Sequence, residues 1–441
     1  MIKILIGILM LGLVIIVHEF GHFVAARLFG VTVETFSVGW GPVLFRKKRG
    51  DTEYRLSLLP LGGYCGMKGE HAFSEALEKN LDAIPREEGS FYGIHPAKRM
   101  IVAFAGPFFN LLFAAIALAL VSAVGYSYNT YDNRIVPASA YDTGTGQNPV
   151  DLAGLKEGDR IVSLDGHKIE TFTDIQQFIS THPGENLSIE YERDGTIFTS
   201  RITPNLDKKQ GTGKIGIYPY IPLVIGSVKA GSAAETAGLK KGDVITAVNG
   251  TTVTQYLQFE AQLKSKPEQI TVTANRNGST ADYRLVLLYT DKGVEAGLGW
   301  QTIPVTVKGT GLIESVKNGV VETGKTIQLT IKSIGLLFRG VDVTEAVSGP
   351  VRITMMIGEV AETGFSGLAQ FLAIICVSLF LMNLLPIPVL DGGLILFAVI
   401  EIFNRKPLKP KTLYYVQFIG IAFIVALFIL AISSDIRYLI K

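Results

Sequence analysis

Three polar residues interrupt the first long apolar run of the chain. His18-Glu19-Phe20-Gly21-His22 reads H-E-x-x-H. On a helix, positions i and i+4 share one face, so both imidazoles can reach a single metal ion. Zinc suits such a pair, because it accepts two imidazoles and a carboxylate and keeps a fourth position open. Glu19 points off the shared face. It fits a general base working on water at the metal rather than a ligand. Burying an ionised acidic residue at membrane depth costs ~2.5–3.5 kcal/mol. Three such polar groups within five residues therefore need a reason, and metal binding supplies one.

A third ligand must come from another element at the same depth. Asn383-Leu384-Leu385-Pro386-Ile387-Pro388-Val389-Leu390-Asp391-Gly392-Gly393 ends another apolar segment. Pro386 and Pro388 break the helix there, and non-helical backbone at this depth is tolerated only where it is buried or lines a cavity. Asp391 is the one acidic residue in that stretch. It is the leading candidate, although it could instead cap a following helix. His71 and His95, in the polar region after the first segment, are rivals.

The elements that must hold these residues are membrane spans. The 441 residues carry 41 Lys and Arg against 39 Asp and Glu, a net charge of +2, with 18% charged and 48% hydrophobic residues. The near-neutral balance argues against a nucleic-acid partner. The low charge content argues against a soluble enzyme. The two cysteines, Cys65 and Cys376, exclude a disulfide scaffold. Four uncharged stretches approach the ~20 residues a bilayer requires. They predict spans at about 2–27, 99–126, 366–386 and 412–434. A cleaved signal peptide is the alternative for the first, but cleavage would discard the H-E-x-x-H motif.

Basic residues near the spans set the expected orientation. Arg46, Lys47, Lys48 and Arg49 follow the first span, Lys98 and Arg99 precede the second, and Arg405, Lys406, Lys409 and Lys411 lie between the last two. Residues 29–98 and 401–411 are thus expected on the cytoplasmic side, with both termini and residues 129–363 outside. The first and third spans then run the same way, which brings the histidine pair and Asp391 to similar depth.

The polar middle contains a repeat. Ala153-Gly154-Leu155-Lys156-Glu157-Gly158-Asp159-Arg160-Ile161 returns as Ala237-Gly238-Leu239-Lys240-Lys241-Gly242-Asp243-Val244-Ile245. Each copy leads into an alternating strand, a turn (Asp165-Gly166, Asn249-Gly250) and a helix-like stretch at Thr173–Ser180 or Tyr256–Ser265. The pattern resembles PDZ domains, which implies peptide capture by strand addition. Plain spacers are the alternative. Further on, Ile313, Val316, Val320, Ile327, Ile331 and Ile334 recur at helical spacing beside lysines. They predict an amphipathic helix within 309–345, lying on the membrane or against a neighbour.

Taken in order, the motifs resemble the site-2 protease family of intramembrane zinc metalloproteases, in its bacterial branch with two PDZ domains. The carriers are His18–His22, Phe36-Ser37-Val38-Gly39-Trp40-Gly41-Pro42, Pro60-Leu61-Gly62-Gly63-Tyr64, Gly106-Pro107-Phe108-Phe109-Asn110, the repeat pair, Ser348-Gly349-Pro350, and Asn383 through Gly393. The resemblance implies Zn²⁺ ligands at His18, His22 and Asp391, with Glu19 as catalytic acid/base. It implies a substrate-binding or oxyanion role for Asn383, and a membrane-dipping β-loop at Gly39 and Gly41 that presents an edge strand to unwound substrate. Some members have a histidine after D-G-G where this chain has Leu394, and an asparagine where it has Ser378.

The expected architecture is a multi-pass α-helical membrane protein with about four transmembrane helices. Two tandem α+β PDZ domains are inserted between the second and third of them. The parts are an N-terminal membrane region (1–128) with a β-loop region at 29–98, PDZ domains at 129–215 and 216–306, an amphipathic region at 307–362, and a C-terminal membrane region (363–441) holding the L-D-G motif at 390–392. The expected activity is hydrolysis of a peptide bond within the span of single-span membrane proteins, such as an anti-sigma factor or a signal-peptide remnant. The setting is the bacterial inner membrane, with the site toward the cytoplasm and the PDZ pair outside, gating access. A PDZ scaffold with an inert metal site has no use for Glu19. A transporter should show a repeat among its spans, and the visible repeat lies in the polar middle instead.

Overall fold

The computed structural model describes residues 2–141, 148–209, 211–290, 293–337 and 348–440; the side chains of 60, 61, 70, 71, 290, 293 and 337 lie outside the description. The chain divides into two compact units, Met1–Tyr126 with Val307–Lys441, and Ser127–Thr306.

The first unit is helical because apolar backbone can satisfy its N–H and C=O groups in lipid only internally. Its main helices are α1 (Ile2–Leu28), α2 (Pro96–Val124), α3 (Leu312–Leu337), α4 (Pro350–Ala361), α5 (Phe365–Asn383), α6 (Asp391–Asn404) and α7 (Pro410–Ile440). Among the described residues, α1, α2, α5 and α7 are long and apolar enough to cross a membrane. α1 runs unbroken through the polar interruption at His18–His22. α2 starts and ends two to three residues before the expected 99–126, because Gly125 stops it at φ +72° and a strand follows. α7 is longer than the expected 412–434 at both ends. Residues 401–404, expected in a loop, belong to α6. Val14 of α1, Ala114, Ala117 and Val121 of α2, and Leu372, Ala373, Cys376 and Val377 of α5 form the core between these helices.

α3 turns most of its apolar stripe outward, with Ile327 alone of the named residues packed against the core of α1, α2 and α5. Ser315 and Thr323 are buried, and Gly319 abuts Ala115 and Ala119 of α2. Ile313, Val316, Val320 and Ile331 face outward. Close approach through small residues is how helices associate in lipid, so the apolar face is left for the membrane. The rest of the expected 309–345 stretch, from 338 on, lies outside the described residues.

Strands β1 (Val33–Arg49) and β2 (Thr52–Met67) curl into a hairpin that pairs twice. Residues 33–38 lie between 53–56 on one side and 63–67 on the other, and 45–49 pair back on 52–56. The spatial order is therefore 45–49, 52–56, 33–38, 63–67. Trp40, Leu44, Phe45, Leu58 and Leu59 are exposed around the tip. Two polar contacts then tie the helices. Arg99 of α2 pairs with the buried Glu401 of α6, which Arg86 also reaches at 3.2 Å. The buried Asp435 of α7 accepts from the N–H groups of Gly349, Val351 and Arg352 at 3.0, 2.9 and 3.3 Å. It thereby caps α4 across the tertiary fold.

In the second unit, the two repeat copies fold alike. One antiparallel sheet has the order 167–168, 160–164, 187–193, 196–202, and the other 251–252, 244–248, 269–276, 279–286. The helices are Phe172–Ser180 and Tyr256–Leu263. Both hairpin turns carry positive φ at two successive residues, Asp165-Gly166 and Asn249-Gly250. This is the type I′ geometry that suits the strand twist. The repeated G-D has a structural reason. Asp159 accepts from Lys156 N–H at 2.7 Å and from Arg193 at 2.8 and 2.7 Å; Asp243 accepts from Lys240 N–H at 2.8 Å and twice from Arg276 at 2.7 Å. Each carboxylate thus ties its loop to the third strand. The boundary expected at 215/216 moves past Pro219, because Ile217–Pro219 pairs back with Ile135–Pro137 of the first copy.

Candidate metal centre

His18 and His22 face one way from α1, as their spacing requires. Their Nε2 atoms are 3.2 Å apart. Asp391, the first residue of α6, meets them there: Oδ2 is 3.2 Å from His18 Nε2, and Oδ1 is 3.3 Å from His22 Nε2. The three side chains are only 11–13% exposed. The helix-capping alternative for Asp391 does not hold: Leu390 occupies the N-cap position without a side-chain cap, and the Asp391 carboxylate turns to the histidines instead.

The segment that delivers Asp391 is under local strain. α5 ends at Asn383, and α6 begins at Asp391. Between them Val389 sits at φ +93°, which a β-branched side chain strongly disfavours. Pro386 and Pro388 keep this stretch from becoming helix. α1 and α2 meet closely enough to fix the histidines because Gly21 abuts the Ala105 carbonyl and Gly106 abuts both imidazoles.

The donor set fits a zinc ion. Three ligand atoms around a tetrahedral ion at about 2.0–2.1 Å are about 3.3 Å apart, the separations found here. His22 Nδ1–H donates to the Val102 carbonyl at 2.9 Å, which orients the ring with Nε2, the ligand atom, on the side of Asp391. His18 Nδ1 lies 3.3 Å from Asn110 Nδ2.

Glu19 sits beside this group and off its shared face. It takes a backbone hydrogen bond from Cys65, and its Cγ packs near Gly63. The strand next to the site is thus 63–67. Among the described residues it pairs with 33–38 on one edge, and no strand covers the other. Gly39 and Gly41, expected to present that edge, instead have φ +89° and +86°. There the chain leaves the central strand, and Trp40 between them packs on Gly62 and Tyr64. Asn383 is partly buried at the end of α5. His95, one rival third ligand, caps α2 by accepting from Ala97 N–H at 3.2 Å; the side chain of His71, the other, lies outside the described residues. Sequence reasoning missed the Glu19–Cys65 contact and the place of Asn110 against His18. The quoted Pro60–Tyr64 and Gly106–Asn110 motifs were the signal for both.

The peptidase family M50 model matches residues 6–427. A protein of Treponema pallidum named as a candidate zinc metalloprotease is 47% identical over the whole of both chains. The regulator of sigma-E protease RseP of Salmonella typhimurium is 32% identical over 97% of each chain. A solved PDZ domain of an SdrC-like protein from Listeria monocytogenes aligns with 19% of this chain and 90% of its own, at 21% identity and a TM-score of 0.17.

Proposed function

The chain belongs to peptidase family M50, the site-2 protease family, and is a zinc metalloprotease; on that premise we propose that it cuts a peptide bond inside the transmembrane segment of single-span membrane proteins. The observation that carries this reading is the triangle of His18 Nε2, His22 Nε2 and an Asp391 carboxylate oxygen, buried beside Glu19 at the end of an apolar helix. In this reading the three residues hold the zinc ion. A bound zinc ion polarises a carbonyl and lowers the pKa of water from 15.7 toward about 7.

The protein's own groups do the rest. Glu19 takes the proton of the attacking water and returns it to the leaving amine. The Cys65 hydrogen bond holds its carboxylate in place. A helical substrate hides its peptide groups in i to i−4 bonds and must unwind. The open edge of 63–67 replaces those bonds by strand pairing, with Gly39 and Gly41 shaping the loop that supports it. Asn383, at the break after α5, is within the segment that delivers Asp391 and is assigned to the substrate carbonyl.

The repeat modules at 129–219 and 220–306 are read as PDZ domains that gate access. Support comes from a groove of about 880 Å³ in the first, between the helix bearing Phe172, Ile175 and Ile179 and the strand bearing Ile217. That strand has one edge paired, as peptide addition requires. In the second module Trp300 packs on Tyr256 and Phe259 and fills the corresponding corner, so the first is the better receiver. The basic residues after the first span support a cytoplasmic-side site and outer PDZ modules in a bacterial inner membrane. Likeness to a sigma-E regulator supports an anti-sigma factor as one substrate class.

The test is cleavage of a tagged single-span substrate in membranes by wild type, Glu19→Gln and Asp391→Asn. Loss in both variants is expected. Equal cleavage by all three overturns the assignment. Deleting residues 129–305 tests the gate: intact substrates should then be cut, and continued refusal rejects it.

A further inference from the structure

Asn110 lies one helical turn beyond Gly106 on α2 and is fully buried. Its Nδ2 stands 3.3 Å from His18 Nδ1. Its Oδ1, equally buried, has no hydrogen-bond partner. A buried amide oxygen left without a donor requires an explanation, and His18 offers one.

A neutral imidazole carries one proton. The side-chain amide can present either of its atoms to the ring, and when His18 gives Nε2 to a metal its Nδ1–H finds an acceptor in Oδ1. His22 has no such choice, because the Val102 carbonyl only accepts.

We propose that Asn110 is a positioning residue for His18, its Oδ1 accepting from Nδ1–H and so turning Nε2 toward a divalent cation. The proposal rests on the reading of His18, His22 and Asp391 as metal ligands. Partners of this kind contribute about 10–100-fold to metal affinity.

The test uses the full chain in lipid nanodiscs, with zinc affinity read by competition against a chromophoric chelator. Asn110→Leu should bind zinc about 10–100-fold more weakly, and Asn110→Asp, which keeps the acceptor, should recover most of that loss. Wild-type affinity in Asn110→Leu, or equal losses in both variants, overturns the proposal. The ¹⁵N shifts of His18 in the unsubstituted protein test it without any variant. Nδ1 should carry the proton in the zinc-loaded protein, and a ring protonated on Nε2 there refutes the contact. A wild type that binds no zinc removes the ligand reading itself, an outcome distinct from the others.

Discussion

Replacing Gly106 by alanine adds one methyl group at the narrowest point between α1 and α2. Its Cβ would lie 2.6 Å from His22 Cε1 and 2.9 Å from His18 Cε1, and would overlap His22 Nε2. Carbon atoms approach comfortably to about 3.5 Å, so the rings must retreat by roughly 0.6–0.9 Å. Metal ligands tolerate about 0.2 Å. Moving α1 away instead would open the contact of Gly21 with Ala105 that seats the whole face. Overpacking of this size costs about 1–3 kcal/mol. At about 1.4 kcal/mol per factor of ten, zinc affinity should fall roughly 5- to 150-fold when that cost falls on the loaded state. Cleavage should drop by about 100-fold, the usual effect of a ~1 Å misplacement. The assay pairs zinc competition with cleavage of a tagged single-span substrate. Gly324→Ala in α3 is the control, since a Cβ there meets nothing within 4 Å, and it should leave both readouts unchanged. A Gly106→Ala protein with wild-type affinity and cleavage refutes the idea that these imidazoles are fixed by contact with α2.

Three further outcomes are expected. Glu19→Gln should keep its zinc yet lose about 10²–10⁴-fold in cleavage, measured as metal content and product in one preparation; parallel loss of zinc would make Glu19 a structural residue instead. Asp435→Ala leaves the N–H groups of Gly349, Val351 and Arg352 without their acceptor, at about 1–3 kcal/mol, and should lower the thermal midpoint of the full chain in detergent. Arg276 holds the Asp243 carboxyl below its usual value by hydrogen bonding to it. The resulting stability is present above the unfolded value of about 3.9 and is lost as pH falls through the lower folded value. Unfolding followed by circular dichroism on acid titration should therefore show a shallower acid limb in Asp243→Asn, and an unchanged limb would show that the pair contributes nothing.

How far the chain could be read depended on the range of the interactions. The helix at His18–His22, the spans and the repeated G-D turns follow from periods of two to four residues and from runs of apolar type. Such signals survive in a single sequence because their causes are local. For α3 the apolar stripe left open whether the helix faces a membrane or a neighbour, and the small residues around Gly319, which let helices approach in lipid, decided which face packs on α2. The hairpin was equally opaque: pairing of 33–38 on both sides cannot be read from residue order, so the open edge beside Glu19 falls at 63–67 rather than at Gly39 and Gly41.

By itself, then, the sequence determined that two imidazoles share a helix face within an apolar segment and that a proline-broken stretch carries a carboxylate. Only the folded chain decided that Asp391 arrives 3.2 Å from His18, that Gly106 leaves room for the rings, and that Asn110 and Cys65 lie against the reacting groups. The reason is physical. Each of those contacts joins residues dozens to hundreds of positions apart, and each is fixed by helix crossings and strand pairings that no local pattern encodes.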